Sequence, residues 1–214
     1  MSGSSVQLVR PLRDGTVAIL RPLGPEDRDR VRRALDGLSG ATRYARFFAH
    51  VERFSSTQLD YLTTVDQHSH IAWIATDAGS ADVPAAGFGR FVRVPDEPET
   101  AELAITIVDA YQQRWLGTTM LGLLYHRARA GGIRTLRCYV PPVGGAFADR
   151  LRRLGAVARL RDGLVELDLP VYDDPAYLPK NPVGDRLRQL LDDFDASFAR
   201  TWRDRRSPTR ARVA

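Results

Sequence analysis

Among its 214 residues the sequence has one cysteine, Cys138, and one lysine, Lys180. A lone thiol excludes an internal disulfide and any multi-thiolate metal site, which agrees with a reducing compartment. Cys138 is expected to serve as a small buried hydrophobe. No apolar run approaches the roughly 18 residues that a membrane-crossing helix needs. Met1 to Gln7 is polar and has no secretory apolar core, so a cytoplasmic location without a membrane partner is expected. Internal repeats are lacking too. A net charge of +5 raises nucleic-acid binding, but no recognition helix, aromatic stacking platform or zinc module accompanies it. Much of the excess is local: Arg200, Arg203, Arg205, Arg206, Arg210 and Arg212 stand against Asp204 alone, and Ser207-Pro208 closes off regular structure. A solvated basic tail is the expectation there, rather than a nucleic-acid partner.

What is present is ordinary for a globular chain: 43% hydrophobic and 27% charged residues. The length suits one domain with a terminal appendage. The expected division is a flexible N-terminus over residues 1–14, a domain over 15–171, a helical extension over 172–203 and a disordered basic tail over 204–214.

Strands and helices alternate along the chain. Thr16 to Arg21 reads as a strand, and Gly24-Pro25-Glu26-Asp27 starts a helix with Val31, Ala34, Leu35 and Leu38 on one face. A capping box at Ser55 and Gln58 opens another, with Leu59, Leu62 and Val65 as its apolar face. His70 to Thr76, Ala85 to Val94 and Ala101 to Val108 read as a three-stranded meander. The period then changes from two to about 3.6, and Met120, Leu121, Leu124 and Ala128 continue on a helical face until Gly131-Gly132. Ile133 to Val140 is a further strand and Ala146 to Leu154 a further helix. Val157 to Leu169 is a hairpin turning near Asp162-Gly163. Pro182 to Trp202 forms a last helix, whose stripe of Val183, Leu187, Leu190, Leu191, Phe194 and Phe198 either packs back on the domain or meets a partner, a homodimer included.

The strand-to-helix turn around residue 112 carries the chemistry, because the first turn of a helix presents unpaired N–H groups and the positive end of its dipole, a ready phosphate site. The run Ala101-Glu102-Leu103-Ala104-Ile105-Thr106-Ile107-Val108-Asp109, followed by Tyr111-Gln112-Gln113-Arg114-Trp115-Leu116-Gly117-Thr118, resembles the acetyl-CoA strand and pyrophosphate loop of the GNAT superfamily of N-acetyltransferases, whose loop reads Gln/Arg-x-x-Gly-x-Gly/Ala. The resemblance covers about residues 15 to 170. Upstream, Leu38-Ser39 and Arg43-Tyr44-Ala45-Arg46-Phe47-Phe48 resemble a segment of GNAT domains of the bacterial protein-lysine acetyltransferase type.

The resemblance implies an α/β (α+β) fold: a central mixed, mostly antiparallel sheet flanked by helices, plus the C-terminal helix. It implies acetyl-CoA as co-substrate, held by Ile105, Ile107, Val108, Gln112, Gln113, Arg114, Trp115, Leu116, Gly117 and Thr118. Transfer to a primary amine, on a small molecule or on a protein lysine, needs a base to take a proton from the attacking ammonium. Glu102 is the candidate, and an outward strand glutamate is the alternative. A backbone N–H near Ile107 or Val108 is the expected oxyanion donor. Arg43, Tyr44 and Arg46 are candidates for acceptor contact, against a reading in which Tyr44, Phe47 and Phe48 form the edge of the core.

Three positions depart from the family pattern. Trp115 replaces the first loop glycine, where a Cβ obstructs close approach of backbone to pyrophosphate; its ring either points away or fills the groove. Gly144 stands near the family's asparagine, and Leu151 near its tyrosine, the usual proton donor to the departing thiolate. These departures keep a second reading open, a catalytically impaired binding or regulatory module. His68 and His70 lie two apart with no third ligand nearby in sequence, so no metal is expected.

Overall fold

The computed structural model describes residues 6–48, 53–79, 84–143 and 145–206, the last six without their side chains. The described residues form one sheet of eight strands: β1 (Leu8–Pro11), β2 (Val17–Pro22), β3 (His70–Asp77), β4 (Gly87–Val94), β5 (Glu97–Ile107), β6 (Thr135–Val140), β7 (Val157–Arg161) and β8 (Leu164–Pro170). Their order is β1-β2-β3-β4-β5-β6-β8-β7. Every neighbouring pair is antiparallel except β5 and β6. The mixed, mostly antiparallel sheet implied above is therefore the observed one.

Strand alternation divides the side chains between two cores. On one face Ala72, Ile74 and Phe88 meet Val31, Ala34 and Leu35 of α1 (Arg28–Asp36) and Leu59 and Leu62 of α3 (Ser56–Thr63). The Ser55 and Gln58 capping box is formed, with both reciprocal hydrogen bonds present. On the other face α4 (Leu116–Ala130) lies across β4 and β5, burying Leu116, Met120, Leu123 and Leu124. Gly89 permits that approach, since a Cβ there would stand 2.8 Å from both Met120 and Leu124.

The last helix, α6 (Pro182–Arg206), packs back on its own domain and does not leave its stripe for a partner. Leu187, Leu190, Leu191 and Phe194 are buried in the second core, each contributing about 1.5–3 kcal/mol over exposure. Polar contacts fix its rotation: His126 of α4 stacks on Phe198 at 4.8 Å, and its Nε2 lies 2.9 Å from Asp195, which also accepts from Arg129. The helix runs through Arg206, so the expected tail does not begin at residue 204; residues 207–214 lie outside the described residues.

Two other expectations are corrected. Residues 8–11 are not a flexible N-terminus: they pair with β2 as an edge strand, and Arg10 reaches across to the Ser197 hydroxyl at 2.8 Å on α6. The segment between the first two predicted helices holds a helix of its own, α2 (Gly40–Phe47), capped by the Ser39 hydroxyl, which accepts from Thr42 N–H. No residue of α2 is fully buried, so apolar periodicity gave no sign of it. Ala146–Arg153 is α5, and its Leu151 is fully buried.

Candidate active site

The parallel pair β5 and β6 makes the site. They register over only three residues, Thr100 to Glu102 against Thr135 to Arg137. Beyond Glu102, β5 stays with β4 up to Ile107, whereas β6 follows β8 as far as Val140. The strands part, and a cavity of about 210 Å³ opens between them. Leu103, Ala104 and Ile105 form one wall and Cys138, Tyr139 and Val140 the other; Phe147 of α5 and Ala45, Arg46 and Phe48 from α2 and its C-terminal end close it. Burial pushes the Cys138 thiol up to about 12, so it stays protonated and inert.

Parting leaves backbone groups without a sheet partner. Val108 N–H donates to Ala86 O at 3.0 Å and so faces β4, which removes Val108 as an oxyanion donor. Alternation along an antiparallel strand then turns the N–H groups of Ile105 and Ile107 the other way, into the gap. The Ile107 N–H, one of the two expected donors, therefore has the direction that the role would need, and so does that of Ile105.

At the end of β5 the chain turns into α4 through a loop with two non-glycine residues in the left-handed region, Gln113 at φ 58° and Trp115 at φ 72°. The second explains why a glycine is suited to this position. Backbone that alternates hands in this way turns successive N–H groups toward one concavity, which favours anions. Leu116, Gly117 and Thr118 add the first-turn N–H groups of α4. Gly117 is not required by packing, since a Cβ there would meet only Ile107 Cγ1, at an ordinary 3.5 Å. Its open side suits a ligand that approaches the backbone. The residues present thus fit a pyrophosphate, through backbone more than side chains.

The Trp115 side chain points away from the gap. Its ring is 48% exposed and lies between the guanidinium groups of Arg13, 5.9 Å from its centroid, and Arg186 of α6, at 5.1 Å. Gln113 is exposed, whereas the side chains of Gln112, Arg114 and Leu116 are committed elsewhere. Gln112 donates to Ile107 O and to the Thr42 hydroxyl, both at 3.1 Å. Arg114 pairs with Asp14 at 2.6 Å and lies over Tyr111, and Leu116 is buried in the core. Asp109 ties the loop to α2 by accepting from Ser39 N–H and from the Ser39 and Thr42 hydroxyls at 2.7–3.0 Å. Partial burial raises the Asp109 carboxyl, but these bonds outweigh it and hold it below its usual value.

The opposite end of the cavity is charged. Glu102 lies on its wall with Arg46, Arg90, Tyr61 and Tyr139. Of the three residues expected to meet the acceptor, Arg46 alone lines the cavity. Arg43 instead donates to the carbonyls of Leu35 and Asp36 at the end of α1, and Tyr44 is on the outer side of α2 and 42% exposed. Sequence reasoning missed Arg90, whose alternation on β4 reads as an ordinary outward charge. It also missed Tyr139, whose hydroxyl donates to the buried Glu166 at 3.3 Å. Leu151 is core, so α5 supplies no hydroxyl at the tyrosine position; Gly144 lies outside the described residues. His70 packs its ring 5.6 Å from Tyr61, and burial, with Arg90 nearby, lowers it to about 4.

No family model matches the chain. It is 31% identical over 151 residues to an acetyltransferase of Pseudomonas aeruginosa, covering 71% of this chain and 81% of that one. It is 32% identical over 188 residues to the acetyltransferase Pat of Mycolicibacterium smegmatis, covering 84% of this chain but spanning 55% of that protein's length. Among solved structures, the GNAT domain of S. lividans PAT superposes with a TM-score of 0.70 at 26% identity, over 77% of this chain and 96% of that domain.

Proposed function

The chain belongs to the GNAT superfamily of acyl-CoA-dependent N-acetyltransferases, and we propose that it transfers an acetyl group from acetyl-CoA to a primary amine by direct attack within the gap between β5 and β6. The observation that supports this reading is the parting of the two strands, which opens a cavity with Glu102 on its wall and leaves main-chain N–H groups of β5 without a sheet partner on the way to the α4 loop. Main-chain groups at the start of α4 hold the pyrophosphate, and the acyl-bearing arm runs down the gap beside Ile105 and Ile107.

Glu102 accepts a proton from the attacking ammonium. As the C–N bond forms, N–H groups of Ile105 and Ile107 stabilise the charge developing on the carbonyl oxygen. The C–S bond then breaks, CoA leaves as the thiolate, and the second proton lost by the attacking nitrogen goes to that sulfur, giving the amide and the free thiol. Because the Trp115 ring lies between Arg13 and Arg186, the glycine replacement does not argue for a binding-only module. Mixing the protein with acetyl-CoA and a panel of primary amines, and following release of free CoA thiol, tests the reading. Amine-dependent release that falls in Glu102→Gln supports it; release independent of amine, or unchanged in that variant, contradicts it.

A further inference from the structure

Arg46 and Arg90 are half-buried arginines without an ion pair, although Glu102 attracts Arg90 from the same wall. Arg46 Nε and Arg90 Nη1 are shielded from solvent and make no hydrogen bond. Neither guanidinium has a carboxylate within 4.0 Å among the described residues; each instead lies over a ring, Arg46 over Phe47 at 4.9 Å and Arg90 over Tyr61 at 4.6 Å. Both line the cavity, where Glu102 is the one acid among the described lining residues. Burial lowers both guanidinium groups, Arg46 to about 10, where the neighbouring charge of Arg90 adds to the effect. Two like charges are thus held together in a poorly solvated place, at a cost that Glu102, which attracts Arg90 without pairing with it, offsets only in part. His70 Nε2 behind them is likewise buried without a partner.

The described residues of the cavity wall carry two cations and one anion, and the complement of that set is an amine bearing an acid group. Resting on the acetyl-transfer reading above, we infer that the acceptor is a small amino acid, its amine directed to Glu102 and its carboxylate clamped by Arg46 and Arg90. Planar guanidinium groups suit this task, since each presents paired N–H donors to a carboxylate. The cavity, about 210 Å³, is below the roughly 300–1,000 Å³ of sites for drug-sized ligands, and because the acyl arm enters the same gap, the share left at the Glu102 end suits a small acceptor alone.

The test compares free amino acids, β-alanine and γ-aminobutyrate with the amines that lack their carboxylates, by calorimetric binding to the CoA-bound protein and by rate with acetyl-CoA. Phosphoethanolamine against ethanolamine and an uncharged lysine peptide complete the panel. At least one amino acid should exceed its matched amine about tenfold or more in affinity and in kcat/KM. Arg46→Gln and Arg90→Gln should each erase that preference through KM, with acetyl-CoA affinity unchanged and thermal midpoints equal to or above that of the wild type. Equal binding within every pair overturns the inference, as does a preference that survives both variants, or a lead for phosphoethanolamine or the peptide. Acetyl-CoA binding without any carboxylate preference removes this inference alone; absence of acetyl-CoA binding removes the transfer reading itself.

Discussion

Two groups of arginines share one face of the sheet and live under opposite rules. On β6, Arg137 donates to Asp168 at 2.9 Å and to both oxygens of Glu97, with the buried Glu166 at 3.9 Å. Arg159 and Arg161 on β7 close the same network from the edge. Its Asp168 and Glu97 partners raise the Arg137 guanidinium above its usual value. A short way across the face, Arg46 and Arg90 are lowered, and no acid is paired with them. Glu102 sits at the frontier. It is the register partner of Arg137 across the last paired rung of β5 and β6, yet Arg137 turns to other acids and leaves Glu102 on the cavity wall. Where the sheet is continuous, charge is matched for stability; where it parts, charge is left unmatched for a ligand. Residues in functional sites commonly break the pairing rules that hold elsewhere in the fold.

The contrast can be broken from either side. The largest effect is expected at the frontier. Glu102→Gln should lower kcat for amine acetylation by about 10²–10⁴-fold, with an unfolding midpoint lowered by no more than a few degrees, since Glu102 has no ion pair to lose and only attracts Arg90 across the wall. Next is the matched region: Arg137→Met leaves Glu166 and Asp168 to the exposed Arg159 and Arg161 and should cost about 2 kcal/mol in urea unfolding, less than a buried pair broken outright. Arg90→Met removes an unpaired charge and should leave stability unchanged or raised. Comparable losses in the two methionine variants would dissolve the distinction.

A further effect, seen only toward acid pH, belongs to His70. It titrates near 4 in the folded chain against 6.5 ordinarily, through burial and Arg90, with Asp66 opposing. The unfolded chain therefore binds more protons between these values, so stability is complete above pH 6.5 and falls as the pH drops toward 4. The loss is on the order of 2 kcal/mol. His70→Gln should flatten that part of the stability profile, and a profile that keeps its full slope would show that the titration lies elsewhere.

Much of the fold was legible because hydrophobic period and capping are local properties. The Ser55 and Gln58 box, the switch of period after Val108 and the Asp162-Gly163 hairpin all stand where the sequence placed them. Elements stabilised from outside were not legible. α2 has no fully buried residue and is held by the Asp109 bonds from another part of the chain, and β1 is defined by its pairing with β2. The site divides in the same way. Glu102, the loop and Ile107 follow from a motif, whereas the gap itself depends on where two strands 35 residues apart in register cease to pair. The unpartnered state of Arg90 depends on what α2 and α3 bring near it. The direction of the Trp115 ring depends on Arg13 and Arg186, remote in sequence; identity at position 115 left both directions open.

That ring offers the most direct measurement. Calorimetric titration of acetyl-CoA into the wild-type protein and into Trp115→Gly should give micromolar binding to both, within about threefold, because the side chain stands outside the gap and the loop acts through its backbone. Absence of binding to the wild type, with binding restored by glycine, would show that tryptophan closes the site and would contradict the account.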